Sequence, residues 1–188
     1  MKYGIFGGTF DPVHVAHLRV AVEAKEHLGL DVVLVVPAFL PPHKQKKTVA
    51  ASAGHRLAML KLAVSPWKFI KVLDFELRKG RVVYTIDTIR YIRKRFGEKN
   101  RYFLLIGSDW TAGIRGWRSY AEIRKLTRIV VFPRTRNAKI PKTFLKLSCS
   151  VLAVESSAIR TGLKKRRPGL FVPPVILDYI RNHRLYQN

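Results

Sequence analysis

The first 36 residues constrain the fold most. Residues 2–6 form a short apolar run that meets Gly7-Gly8, the pattern of a buried strand turning sharply at its end. Over residues 16–28, Leu18, Val20, Ala21, Val22, Ala24 and Leu28 permit a helix packed on one face, and Gly29 is placed to stop it. Residues 32–36 are apolar and mostly β-branched, a second buried strand. Strand, helix and strand in this order make a βαβ unit, with a right-handed crossover and parallel strands. The expected class is α/β: a Rossmann-like parallel sheet with helices on both faces and a C-terminal helical part.

The rest of the chain continues the pattern. A proline-rich loop at 37–42 precedes a predicted helix at 53–64, a strand at 68–72 and a helix at 88–96. A buried strand at 102–106 is closed by Gly107, and a helix at 120–126 leads into a strand at 128–132. Residues 133–146 read as a basic loop, 151–154 as a short strand, and 157–163 and 174–182 as helices. No repeat or low-complexity linker interrupts the chain, so residues 1–188 are taken as one domain.

Composition removes several classes. Cys149 is the single cysteine, which excludes an internal disulfide and a cysteine-rich metal cage; it reads as a buried thiol. No apolar run approaches the roughly 20 residues that span a bilayer. The opening MKYGIFGG runs straight into glycines and does not read as a signal peptide, so the cytoplasm is the default compartment. A formal charge of +24 would suit a nucleic-acid partner, but lysines and arginines are spread through every segment, with clusters at 44–47, 90–95 and 164–167. A solvated basic surface accounts for most of them. Nucleic acid is therefore not the expected partner, and no RRM, KH or zinc-finger signature is present.

In an open parallel sheet, ligands bind beyond the carboxyl ends of the strands. Gly7, Gly8, Thr9 and Phe10 follow the first strand, residues 37–44 the second, Gly107 and Asp109 a later one, and Arg134 another. In GGTFDPVHVAHL the glycines let the backbone approach a phosphate, and His14 and His17 are spaced to share one face of a helical turn. At a helix N-terminus, amides and imidazoles together can hold phosphate oxygens.

That segment resembles the HxGH signature of the nucleotidyltransferase superfamily, and FGGTFDPVH resembles its nicotinate-mononucleotide adenylyltransferase branch. The resemblance extends to LPPHK at 40–44, VYTIDTI at 83–89, FLLIGSDW at 103–110, SSAIR at 156–160 and VPPVILDYIRNHRLY at 172–186. It implies adenylyl transfer from ATP to nicotinate mononucleotide, giving nicotinate adenine dinucleotide and pyrophosphate in NAD biosynthesis. It further implies His14, His17 and Arg160 as catalytic groups, with ATP also held by Gly7, Gly8, Thr9, Phe10, Gly107, Arg134, Ser156 and Ser157. Ser156 and Ser157 read as helix caps whose amides face phosphate. The acceptor would meet His43 and Lys44 at its phosphate, Asp109 at its ribose, Thr85 and the Ile86 backbone at its carboxylate, and the stacking ring of Trp117. Mg2+ is expected with the triphosphate, without a dedicated carboxylate cage.

Two positions depart from the family pattern: Ala16 replaces the glycine of HxGH, and Glu155 stands where many relatives carry serine. The first bears on ATP affinity; the second sets a negative charge near a polyphosphate. Nicotinamide mononucleotide and phosphopantetheine remain as alternative acceptors.

Overall fold

The computed structural model describes residues 1–42, 49–148, 152–167 and 171–187. Six strands form one sheet among them: β1 (Lys2–Gly8), β2 (Val32–Pro37), β3 (Ile70–Val72), β4 (Arg101–Gly107), β5 (Arg128–Phe132) and β6 (Leu145–Lys146). Their order is β3-β2-β1-β4-β5-β6 and every pairing is parallel. The chain moves outward from β1 in one direction, returns, and moves outward again from β4. The strand order therefore reverses between β1 and β4, where their loops part and leave a crevice.

Alternate residues along each strand feed two cores, as the period of two requires. On one face Phe6, Val33, Val35, Leu105, Val130 and Phe132 pack against α1 (Val15–Leu28), α2 (Ala53–Val64), α6 (Ser156–Lys164) and α7 (Pro174–Asn182). On the other, Ile5, Leu34, Val36, Leu104, Ile106 and Val131 pack against α3 (Phe75–Lys79), α4 (Thr85–Phe96) and α5 (Tyr120–Leu126). The expected α/β class with helices on both faces is the architecture found. In α1 the buried Leu18, Ala21 and Ala24 form one stripe, and Gly29 ends the helix at φ 58°, a left-handed conformation that favours glycine.

Several boundaries differ from the sequence expectation. Gly7 and Gly8 lie within β1, paired with Val36 and Pro37, so the turn begins after them. The basic stretch 133–146 ends in β6, which pairs Leu145 with Val130 and Lys146 with Val131, whereas residues 152–154 form no strand. A short apolar run was the weaker guide there, because edge pairing depends on where the connection returns to β5. Helix α4 starts three residues before the expected 88, which puts Thr85 and Ile86 in its first turn. Cys149 lies outside the described residues.

Candidate active site

The loop between β1 and α1 is fixed from several distant parts of the chain. Phe10 turns back at φ 49° and is 1 % exposed. Its ring lies where a Cβ on Gly8 would stand, at 2.8 Å, so a side chain at position 8 would displace it. Gly7 has nothing within 4 Å of the corresponding position, leaving its backbone open to the crevice.

Asp11, 2 % exposed, is the knot of this loop. Its carboxylate accepts the amides of Ala50 at 2.8 Å and Ala51 at 3.1 Å, and the Tyr186 hydroxyl at 2.6 Å. Burial and the bond to Asp11 push the Tyr186 phenol far up, so it stays a donor. Arg160 Nη1 donates to the Asp11 carbonyl at 2.6 Å and stands 3.8 Å from its carboxylate. Ser156 Oγ donates to the Pro12 carbonyl at 3.0 Å. Helix α6 is thereby seated on the loop that carries the histidines.

Arg56, 1 % exposed, secures the other side. Nη1 donates to the carbonyls of Thr9 at 2.8 Å and Ala38 at 2.6 Å, and Nη2 to Phe39 at 3.1 Å. One guanidinium thus joins the loops after β1 and β2. Neither Arg56 nor the paired role of Asp11 and Tyr186 was identified from sequence. Asp11 and Tyr186 did lie inside recognised strings, while Arg56 sits in a segment read only as helical.

His14 is the N-cap of α1 and His17 its third residue, with ring centroids 3.6 Å apart and nearly parallel. The His14 backbone N–H donates to His17 Nδ1 at 3.2 Å. That bond fixes a tautomer: neutral His17 must carry its proton on Nε2 and present it as a donor. Burial first, then His14 and Arg134, hold the His17 pKa well below the ordinary range. Burial and then Arg134 lower His14 to about 4. His14 is 3 % exposed, and its Nδ1 has no hydrogen-bond partner among the described residues. The pair is therefore a neutral, desolvated donor set near a cation, an environment that an anion would complete.

Arg134 follows β5 and returns over β4. Its Nε pairs with Asp109 Oδ1 at 3.1 Å, and its backbone N–H donates to Ser108 Oγ at 3.0 Å. A Cβ at Gly107 would collide with the Asp109 carboxylate and approach Arg134 Nε to 2.7 Å. Glycine is what allows that pair to lie across the end of β4.

The α4 side is built differently. Tyr84 caps α4, so the first-turn amides of Thr85 and Ile86 have no acceptor within the helix. The Arg118 guanidinium lies 4.9 Å from the Tyr84 ring centre, which brings the turn after Ile114–Gly116 beside this helix end. Trp117 is partly buried there and meets Trp110 edge-on at 5.6 Å. Beneath, Thr88 Oγ1 donates to Glu76 Oε1 at 2.6 Å, and burial raises the Glu76 carboxyl to about 7 against that bond.

The structure corrects one cap. Glu155, not Ser156 or Ser157, is the N-cap of α6, and the serines occupy its first turn. The exposed Glu155 carboxylate accepts the Ser157 hydroxyl at 3.0 Å, and a negative charge at a helix N-terminus is favourable. His43 and Lys44 lie outside the described residues. The remaining predicted residues fall at or just after the ends of β1, β4 and β5, on α4 or α6, at the start of α1 for His14 and His17, and in the turn before α5 for Trp117.

The reversal of strand order and the amide-and-imidazole loop leaving β1 define a nucleotide-binding transferase architecture, and the chain belongs to the cytidylyltransferase-like family, whose model matches residues 5–162. Among individual relatives, a "Probable nicotinate-nucleotide adenylyltransferase" of Dehalococcoides mccartyi is 34 % identical over 200 residues, covering 99 % of this chain and 97 % of the relative. One of the same name from Nitratiruptor sp. is 34 % identical, covering 96 % and 97 %. The solved Plasmodium falciparum nicotinic acid mononucleotide adenylyltransferase complexed with NaAD shares the fold at a TM-score of 0.79 and 20 % identity, covering 98 % and 97 %.

Proposed function

We propose that the protein transfers the adenylyl group of ATP to nicotinate mononucleotide, forming nicotinate adenine dinucleotide and pyrophosphate. The observation that carries this reading is the neutral His17 in the first turn of α1, whose Nε2–H is left as a donor. Full-length relatives named for this reaction support the choice of substrates.

A phosphate oxygen of the acceptor attacks the α-phosphorus in line; a P–O bond forms there and the bond to the β-phosphate bridge breaks, releasing pyrophosphate. No proton need move and no covalent enzyme intermediate is required, so positioning and charge stabilisation carry the rate. His17 Nε2–H donates to the α-phosphate as charge builds on it, and His14 supports the triphosphate beside it. Arg160 and the first-turn amides of Ser156 and Ser157 meet the β- and γ-phosphates. Arg134 closes from β5, and Gly7 to Phe10 supply the floor. Across the crevice, the Thr85 and Ile86 amides receive the pyridine carboxylate, Trp117 stacks on the ring, Asp109 meets the ribose, and His43 and Lys44 take the acceptor phosphate.

No group of three His, Cys, Asp or Glu gathers among the described residues to form a metal cage. Asp11 is consumed by its own bonds, and Asp109 pairs one oxygen with Arg134 and keeps the other for the ribose. This donor set fits a Mg2+ that arrives on the triphosphate, held by phosphate oxygens and water. When bound, the ion lowers the repulsion between the triphosphate and the attacking phosphate.

Pyrophosphate release with ATP and Mg2+ against three acceptors tests the assignment. Nicotinate mononucleotide should exceed nicotinamide mononucleotide in kcat/KM by at least about tenfold. Preference for phosphopantetheine or for the amide would overturn the choice of acceptor.

A further inference from the structure

At the amino ends of β5 and β6, opposite the crevice, a cleft of about 310 Å³ opens between α5 and the chain entering β6. Arg124, Thr127, Arg128, Lys142, Thr143 and Phe144 line it, and no carboxylate does. Its three cations come from three places: the last turn of α5, the first residue of β5, and the turn before β6.

These charges are uncompensated among the described residues. Arg124, Arg128 and Lys142 make no ion pair or side-chain hydrogen bond among the described residues, unlike Arg90, which holds Glu122 at 2.6 Å. From residue 123 to residue 154 the sequence contains no Asp or Glu, so the segment that builds the cleft supplies no counter-charge of its own. The one acid in α5, Glu122, is already taken by Arg90.

Three cations converging on one concavity repel one another unless an anion joins them. The cleft is small, which favours a compact multivalent anion over a long polymer whose charges would lie mostly outside it. Guanidinium groups match phosphate oxygens in pairs, and an ammonium adds a point charge. We propose that this cleft is a second anion site that binds an oligophosphate chain, free or carried by a nucleotide, apart from the crevice at the other end of the strands.

An NMR titration of the 15N-labelled protein with sodium tripolyphosphate at constant ionic strength tests this, because it reads each location separately. Saturable shifts are expected at the amides of Arg124, Thr127, Arg128 and Thr143, independent of any at Gly7 to Phe10. The R124Q/R128Q/K142Q variant should bind at this location at least about tenfold more weakly, the loss expected for removing charged donors, while its pyrophosphate-release rate stays unchanged. Equal affinity for tripolyphosphate and ATP here assigns the site to the phosphate chain alone; tighter ATP binding assigns it to a nucleotide. Shifts confined to the crevice overturn the proposal. So does an unaltered affinity in the folded variant, or a single-stranded RNA that shifts the whole basic surface and binds more tightly than tripolyphosphate.

Discussion

The two sides of the crevice are made in different ways. On the β1 side the loop is held by groups drawn from Ala50, Arg56, Arg160 and Tyr186, all bonded to residues 9–11. On the α4 side the half-buried ring of Trp117 sits in a short turn whose flanking residues are exposed, and the amides of Thr85 and Ile86 belong to a helix end. The contrast teaches that the side assigned to ATP is preorganised by long-range bonds, whereas the side assigned to the acceptor has a local construction that can differ between relatives without disturbing the core.

The largest effect should come from the knot itself. Asp11→Ala leaves buried donors unpaired and should cost about 3 to 5 kcal/mol of stability in a denaturant melt; a loss under 1 kcal/mol would mean that the loop is not held as described. Next, His17→Ala should lower kcat by about 10² to 10³-fold with little change in melting temperature. Unchanged turnover would remove His17 from the chemistry. Arg160→Ala should raise KM for ATP by about tenfold or more, through a lost charged donor, and leave KM for the acceptor near its original value. Trp117→Ala should show the reverse split, a rise of up to about tenfold in acceptor KM alone; if both constants rise together, the two sides are not separately built.

The smallest effect concerns pH. The folded Glu76 pKa, about 7, lies above its ordinary 4.5. The folded state therefore holds a proton that the unfolded chain releases. The associated stability is full below 4.5 and is lost as pH rises through 7. Glu76→Gln should flatten that decline, by about 1 to 2 kcal/mol in melts compared at pH 4.5 and pH 8. The histidines act in the opposite sense. With His14 lowered from 6.5 to about 4, its contribution is present above 6.5 and is lost as pH falls through 4.

Much of this was legible because chain pattern and packing agree. The stripe on α1 and its stop at Gly29 are local signals, and the alternating strands carry their own burial pattern. The five-residue α3 was not visible, since FELRK is too short to show a helical period, and its Glu76 matters only through Thr88 on another helix. Residues 145 and 146 of β6 carry no strand signature of their own; pairing with β5 makes them one. In the site, the histidine spacing was readable, but the tautomer of His17 depends on a backbone amide direction that no spacing reveals. Arg56 ran against expectation, because a fully buried arginine is rare and is recognised only by the three carbonyls it serves.

The bond between Tyr186 and Asp11 spans 175 positions of the chain. During synthesis the loop bearing the histidines leaves the ribosome long before the hydroxyl that will secure it exists. A nascent chain can form the central strands early, yet its β1–α1 loop stays unlatched until the segment bearing Tyr186 has emerged. Truncation or a bulky fusion just after α7 should therefore impair turnover at a distance in sequence from every residue that touches substrate.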